Sequence, residues 1–329
     1  MMNNKLKLVV LLGLCVALVH FLLSDCFISP DYHFWSPSLL TSIPKAFNVV
    51  DSSLKFSQSK DTVLSILNSF DDKAISYSIA ASLNTSFVNI TDDGLVMEKQ
   101  DERLAFCPLI PPKLVGPIAV WLDAPSFDDL ERLYPKLQAG GHGMPSGCRA
   151  RHRVAIIVPY RDRETHLRVL LHNLHSLLMK QQLDYAIFVV EQVSNETFNR
   201  AKLMNVGYNE AIKLHNWQCF IFHDVDLIPE DDRNLYSCPE QPRHMSVAVD
   251  KFQYKLPYGS IFGGISALTK EQFIRINGFS NDYWGWGGED DDLSTRVSLK
   301  GYKISRYPTE IARYKMIKHE SEKENPVNK

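Results

Sequence analysis

Val154-Ala-Ile-Ile-Val158, then Leu167, Leu170, Leu171, Leu174, Leu177 and Leu178, then Tyr185–Val190, residues 199–215 and Cys219–His223 decide the fold. The first run is apolar throughout, β-branched at four of its five positions and closed by Pro159, which predicts a buried strand. The leucines recur at i, i+3 and i+4, which predicts a helix with Asp162 as its N-cap. Tyr185–Val190 reads as a second buried strand, 199–215 as a second helix and Cys219–His223 as a third strand. This alternation predicts an open α/β sheet with right-handed crossovers. In such sheets ligands sit beyond the carboxyl ends of the strands. Those ends carry Pro159-Tyr-Arg-Asp-Arg163, Glu191-Gln192 and Asp224-Val-Asp226.

Around this centre, the 329 residues are 45% apolar and 22% charged, which suits a chain that buries a core over most of its length. With 36 basic and 38 acidic residues, the net charge of −2 excludes nucleic-acid binding through bulk positive charge. Leu8 to Leu23 is sixteen residues without a formal charge, preceded by Lys5 and Lys7. That pattern reads as a signal anchor at residues 8–24, with residues 1–7 cytoplasmic. A cleaved signal is the alternative, but Ser24-Asp25-Cys26 is a poor cleavage site. Residues 51–90 hold ten serines and no sustained period, so 25–103 is read as a stem and 104–329 as a lumenal head. The sequons at Asn84, Asn89 and Asn195 are glycan acceptors in that compartment. Cys107, Cys148, Cys219 and Cys238 are an even set that can pair there, the alternative being buried thiols.

Three groups of residues carry chemistry. Asp224-Val-Asp226 leaves a buried strand, where carboxylates can hold a hard cation that bridges a diphosphate. Arg161 and Arg163 follow the first strand and offer guanidinium forks to phosphate. Trp284-Gly-Trp286-Gly-Gly-Glu289-Asp-Asp-Asp292 joins sugar-stacking rings to pliable glycines and four consecutive acids. Mutual repulsion in that acidic run can keep one carboxyl protonated to higher pH and fit it as a general base. The ligand spacing of an EF-hand is absent from it. Met316 and His319 are spaced i, i+3, a pattern that in isolation is more often packing than ligation.

Arg161-Asp-Arg163, Phe198-Asn-Arg200, Asp224-Val-Asp226, Phe262-Gly-Gly264, the Trp284–Asp292 run and Met316-Ile-Lys-His319 occur in that order. From about Cys107 onward the sequence resembles the β1,4-galactosyltransferase family of inverting, metal-dependent glycosyltransferases. The resemblance implies a Rossmann-like GT-A fold, Mn²⁺, a UDP-sugar donor and a glycoprotein or glycolipid acceptor ending in N-acetylglucosamine. It also implies a single-pass type II protein of the Golgi membrane. It implies that Pro159, Tyr160, Arg161, Arg163, Phe198, Arg200, Val225, Lys251, Gly264 and Trp286 line the donor site. Asp226, Met316 and His319 would hold the metal, and Tyr258, Asp290 and Asp291 the acceptor. Asp290 would be the base with Glu289 beside it. The implied disulfides are Cys107–Cys148 and Cys219–Cys238.

One position bears on the donor. Galactose-specific members carry tyrosine just before the Phe-Gly-Gly turn, and this sequence has Ile261. The lost hydroxyl and added space predict transfer of N-acetylgalactosamine, with galactose as the alternative. Family members continue well past the metal-binding histidine, whereas this sequence ends ten residues after His319. The expectation from that ending is an incomplete acceptor site, with a silent UDP-sugar- or glycan-binding protein as a further alternative.

Overall fold

The computed structural model describes the backbone of 32–35, residue 97, 99–193 and 196–318. The anchor at 8–24, nearly all of the stem, Asn84, Asn89, Asn195 and His319 lie outside the described residues. Among the described residues no helix is long and apolar enough to cross a membrane.

In chain order the first strands are β1 (Tyr32–Trp35), β2 (Arg153–Tyr160), β3 (Asp184–Gln192), β4 (Cys219–His223) and β5 (Leu227–Pro229). The remainder are β6 (Arg243–His244), β7 (Ala248–Val249), β8 (Ile265–Thr269), β9 (Ser305–Arg306) and β10 (Arg313–Met316). The helices are α1 (Phe127–Leu133), α2 (Glu164–Lys180), α3 (Arg200–Leu214), α4 (Lys270–Arg275) and α5 (Glu289–Leu299). The main sheet has seven strands in the order β1-β3-β2-β4-β8-β6-β9, and a smaller sheet runs β5-β10-β7.

The predicted strand–helix–strand–helix–strand unit is present, and β3, β2 and β4 are parallel neighbours. Outside those three the sheet is mixed, because β1 runs antiparallel to β3 and β8 antiparallel to β4. Side chains alternate across β2, so its two faces feed separate cores. Val154, Ile156 and Val158 pack with the leucines of α2, while Ala155 and Ile157 pack with Ala201, Leu203, Met204 and Ala211 of α3. The helix α3 lies so close that a Cβ at Gly207 would stand 2.3 Å from Ile157 Cγ2.

Two local expectations are corrected. Pro159 does not end its strand, since β2 runs on through Tyr160. The pairing with β4 stops at Ile157, so the missing N–H of Pro159 falls where no β4 partner stands. Arg163, not Asp162, is the N-cap of α2, and Asp162 instead takes a left-handed turn at φ 51°. The expected disulfides are present, with S–S distances of 2.01 Å for Cys107–Cys148 and 2.02 Å for Cys219–Cys238.

Buried histidines tie the fold to pH. His175 of α2 accepts the Tyr185 hydroxyl at Nδ1 over 2.9 Å, and burial pushes it down to about 3. His223 donates from Nδ1 to the Asp224 carbonyl and accepts the Tyr236 hydroxyl at Nε2; burial pushes it down to about 4. Above the unfolded value of about 6.5 both states hold neutral rings. Below it the unfolded chain takes up protons that the fold refuses, so stability falls by up to about 1.4 kcal/mol per pH unit for each histidine. Melting curves from pH 7 to pH 4.5 are expected to show this fall, with a shallower slope in His175→Gln.

Candidate active site

After β4 the chain turns through Asp224-Val-Asp226 into β5, and the Asp224 amide donates to the Gly264 carbonyl over 3.2 Å. Arg200, the first residue of α3, reaches the same point. Its Nε donates to Asp224 Oδ1 at 2.7 Å, its Nη1 to Glu289 Oε1 at 3.4 Å and its Nη2 to the Gly264 carbonyl at 3.2 Å. One guanidinium, largely shielded from solvent, therefore joins the Asp-x-Asp turn, the acidic run and the Phe-Gly-Gly turn. Burial pushes the Asp224 carboxyl up to about 6, with the Arg200 charge opposing and Asp226 and Glu289 adding to the rise.

The acidic run forms the first turn of α5, where the helix dipole favours negative charge. Gly288 precedes it at φ 93°, and Asp292 pairs with Arg296 one turn on. Asp290 lies over the backbone of Gly263: a Cβ there would come within 2.1 Å of Asp290 Oδ2. Burial pushes the Asp290 carboxyl up, and Glu289 and then Asp291 add to this against the opposing charge of Arg200. Desolvation thus outranks the mutual repulsion read from the sequence. Glu289 Oε2 is buried with no hydrogen-bond partner within the protein, so it can accept a ligand hydroxyl. The Tyr258 hydroxyl donates to Asp291 Oδ1 at 3.0 Å on the open side.

The residues expected at the donor site lie on several segments, some of which are linked. Pro159 is buried and Tyr160 half-buried at the end of β2. Arg161 stacks over the Phe198 ring at 5.1 Å and donates to the Glu196 carbonyl at 2.6 Å. The Phe198 carbonyl accepts the Gly285 amide at 2.8 Å, which ties Phe198 to the tryptophan loop. Trp286 is 71% exposed between Gly285 and Gly287, whose φ angles of 94° and 98° favour glycine. Arg163 caps the N-terminus of α2, and Lys251 lies exposed on the short turn Asp250–Phe252.

Two of the three expected metal ligands fall within the described residues. The pairing of β10 with β5 sets Met316 against Leu227, and the Ile317 amide donates to the Asp226 carbonyl at 2.8 Å. Val225 packs against the same core as Met316. Of the expected ligands, this pairing brings Met316 to the position beside Asp226, so the donors on offer are a carboxylate and a thioether. No group of three histidine, cysteine or acidic side chains able to hold a metal occurs among the described residues. A carboxylate suits a hard divalent ion and a thioether suits it poorly, so these residues fit an ion whose remaining ligands are oxygens, such as those of a diphosphate.

Residues 107–239 match the family model for the N-terminal region of glycosyl transferase group 7, and 243–320 match its companion, described as the N-terminal domain of galactosyltransferase. The chain is thus one of the group 7 glycosyl transferases. It belongs, within them, to the β1,4-galactosyltransferase family. It is 54% identical over 229 residues to β-1,4-galactosyltransferase 3 of Cricetulus griseus and of Homo sapiens, covering 69% of this chain and 58% of each relative. It is 53% identical over 224 residues to β-1,4-galactosyltransferase 2 of Cricetulus griseus, covering 68% of this chain and 61% of that one. The chain therefore spans less than two thirds of the length of these curated relatives. The catalytic domain of Drosophila β1,4-galactosyltransferase 7, solved with xylobiose, superposes with a TM-score of 0.44 at 36% identity over 47% of this chain and 64% of that one. The relatives are named for galactose transfer and do not support the N-acetylgalactosamine preference read from Ile261; they support the galactose alternative.

Sequence reasoning missed how the site is held. Arg200, which the resemblance places in the donor site, also pairs with Asp224 and Glu289. Arg306, His244 and Ser246 were not singled out, although all three bond the loop that carries Ile261 and Gly263. Their strands are two residues long or lie beside such a strand, too short for any periodic signal.

Proposed function

We propose that this chain carries the catalytic head of an inverting, metal-dependent β1,4-glycosyltransferase. It transfers galactose from UDP-galactose to the 4-hydroxyl of a terminal N-acetylglucosamine. The observation that carries the reading is the half-buried Asp290 carboxylate over Gly263, beside the Arg200–Glu289–Asp224 knot. Asp290 takes the proton of the acceptor hydroxyl. That oxygen forms its bond to the anomeric carbon as the bond from that carbon to the β-phosphate oxygen breaks on the opposite face, and UDP departs. A single displacement inverts the centre. Glu289 Oε2 accepts a sugar hydroxyl, and Tyr258 with Asp291 borders the acceptor. Arg161 and Phe198 hold the nucleotide, and Trp286 closes over it. Asp226, Met316 and His319 would hold Mn²⁺, which would supply positive charge to offset that of the leaving diphosphate.

The head is proposed to stand in the Golgi lumen on the stem and the anchor at 8–24. The acceptor-dependent release of UDP from UDP-galactose tests the reading. A second donor is favoured by one residue: Ile261 is half-buried and offers no hydroxyl. Installing one by Ile261→Tyr is expected to raise the preference for UDP-galactose over UDP-N-acetylgalactosamine by about tenfold in kcat/KM. An unchanged ratio would remove Ile261 from donor choice.

A further inference from the structure

Three alternate carbonyls of the loop before β8, those of Gly259, Ile261 and Gly263, are all held by side chains of β6, β9 and their flank. Arg306 Nη2 donates to the Gly259 carbonyl at 2.9 Å and to the Ile261 carbonyl at 2.8 Å. Arg306 Nε donates to His244 Nδ1 at 3.2 Å, and His244 Nε2 donates to the Gly263 carbonyl at 3.0 Å. Ser246 Oγ adds a donor to the Gly263 carbonyl at 3.1 Å and accepts the Ile265 amide at 2.9 Å. One neutral tautomer of His244 satisfies both of its bonds. Burial and the neighbouring Arg306 charge push His244 down to about 3, so the ring stays neutral at physiological pH.

The braced loop has two working sides. Ile261 lies on it, and Gly263 forms the floor beneath Asp290. A shift of this backbone would move the residue that meets the donor sugar and the seat of the base together. The guanidinium reaches these acceptors from two nitrogens fixed in one plane, Nε on His244 and Nη2 on the two carbonyls, whereas an ammonium offers its donors from a single point on a flexible stem.

We infer that Arg306, acting through His244, is a positioning residue that sets how strongly Ile261 discriminates between 2-hydroxyl and 2-acetamido donors. The inference rests on the transferase reading above. The test uses the full chain as wild type, Arg306→Lys and His244→Gln. It measures kcat/KM for UDP-galactose and UDP-N-acetylgalactosamine, and amide exchange across 259–264. The donor ratio is expected to move toward unity by about two- to tenfold, and Ile261→Tyr to change it less in the Arg306→Lys background. Exchange at 259–264 is expected to rise by about tenfold while β2 and β4 stay protected. A purely structural role would lower both donors equally and leave the ratio unchanged, and that result overturns the inference. If Arg306→Lys does not fold, His244→Gln decides the same two readouts. If the wild type transfers neither donor, the transferase reading fails by itself. Exchange then tests the brace alone, and unchanged protection at 259–264 removes it.

Discussion

Asp290→Asn is expected to abolish transfer without weakening the fold. Loss of a positioned base lowers the rate by about a hundredfold to ten-thousandfold. The stability side has the opposite sign from an ordinary core polar substitution. The Asp290 carboxyl is pushed up in the fold, chiefly by burial. A carboxyl raised above its unfolded value contributes stability only at low pH, and that contribution is lost as pH rises through the folded value. At neutral pH the charge is therefore a cost, and the neutral amide removes it. The melting temperature of Asp290→Asn is expected to equal or exceed that of the wild type, with UDP affinity retained. Steady-state transfer rates together with a thermal melt check both halves. A variant that is inactive because it is unfolded would contradict the account. The same shift predicts a wild-type rate that climbs with pH through the raised Asp290 value.

Arg200→Leu is expected to damage fold and donor binding together. The Arg200 side chain is 15% exposed and contacts Asp224 and Glu289, themselves 28% and 12% exposed. Removing it leaves two carboxylates facing their acidic neighbours Asp226 and Asp290 with no compensating charge. Breaking such a buried cluster costs about 3 kcal/mol, the low end for a fully buried pair because Asp224 keeps some contact with water. Without the guanidinium, the Asp224 carboxyl rises further above its unfolded value. The deficit should therefore grow from pH 5 to pH 8, because that is the range in which unfolding releases its proton. Arg200→Lys is expected to recover part of the stability but not the link to the Gly264 carbonyl, which requires the fork. Urea denaturation at the two pH values and calorimetry with UDP and Mn²⁺ measure these effects. Equal stability of Arg200→Leu and wild type at pH 8 would show that the knot carries no weight.

The parts of this site that the sequence makes legible are those with a local pattern. Val154–Val158 and the leucines of α2 declare a strand and a helix through their periods, and Cys219–His223 matches β4 residue for residue. Asp224-Val-Asp226 is readable because it follows that strand directly. Contacts over long separations leave no such mark. Nothing in the spacing links Arg200 to Asp224 and Glu289, which lie 24 and 89 residues away. The brace from Arg306 to Gly259 and Ile261 spans 47 and 45 residues and rests on strands too short to show alternation. The cause of the Asp290 shift is hidden from the sequence for a related reason. A run of acids displays its repulsion in the sequence, whereas burial over Gly263 exists only once α5 and the Phe-Gly-Gly turn have met.

The central claim is tested most directly by UDP release from the full chain with Mn²⁺ and UDP-galactose, with and without a terminal N-acetylglucosamine acceptor, beside Asp290→Asn. The account predicts release that depends on the acceptor in the wild type and is lost in the variant, while UDP binds both proteins. Release equal in the two proteins, or absent from a folded wild type that binds UDP and Mn²⁺, would contradict it.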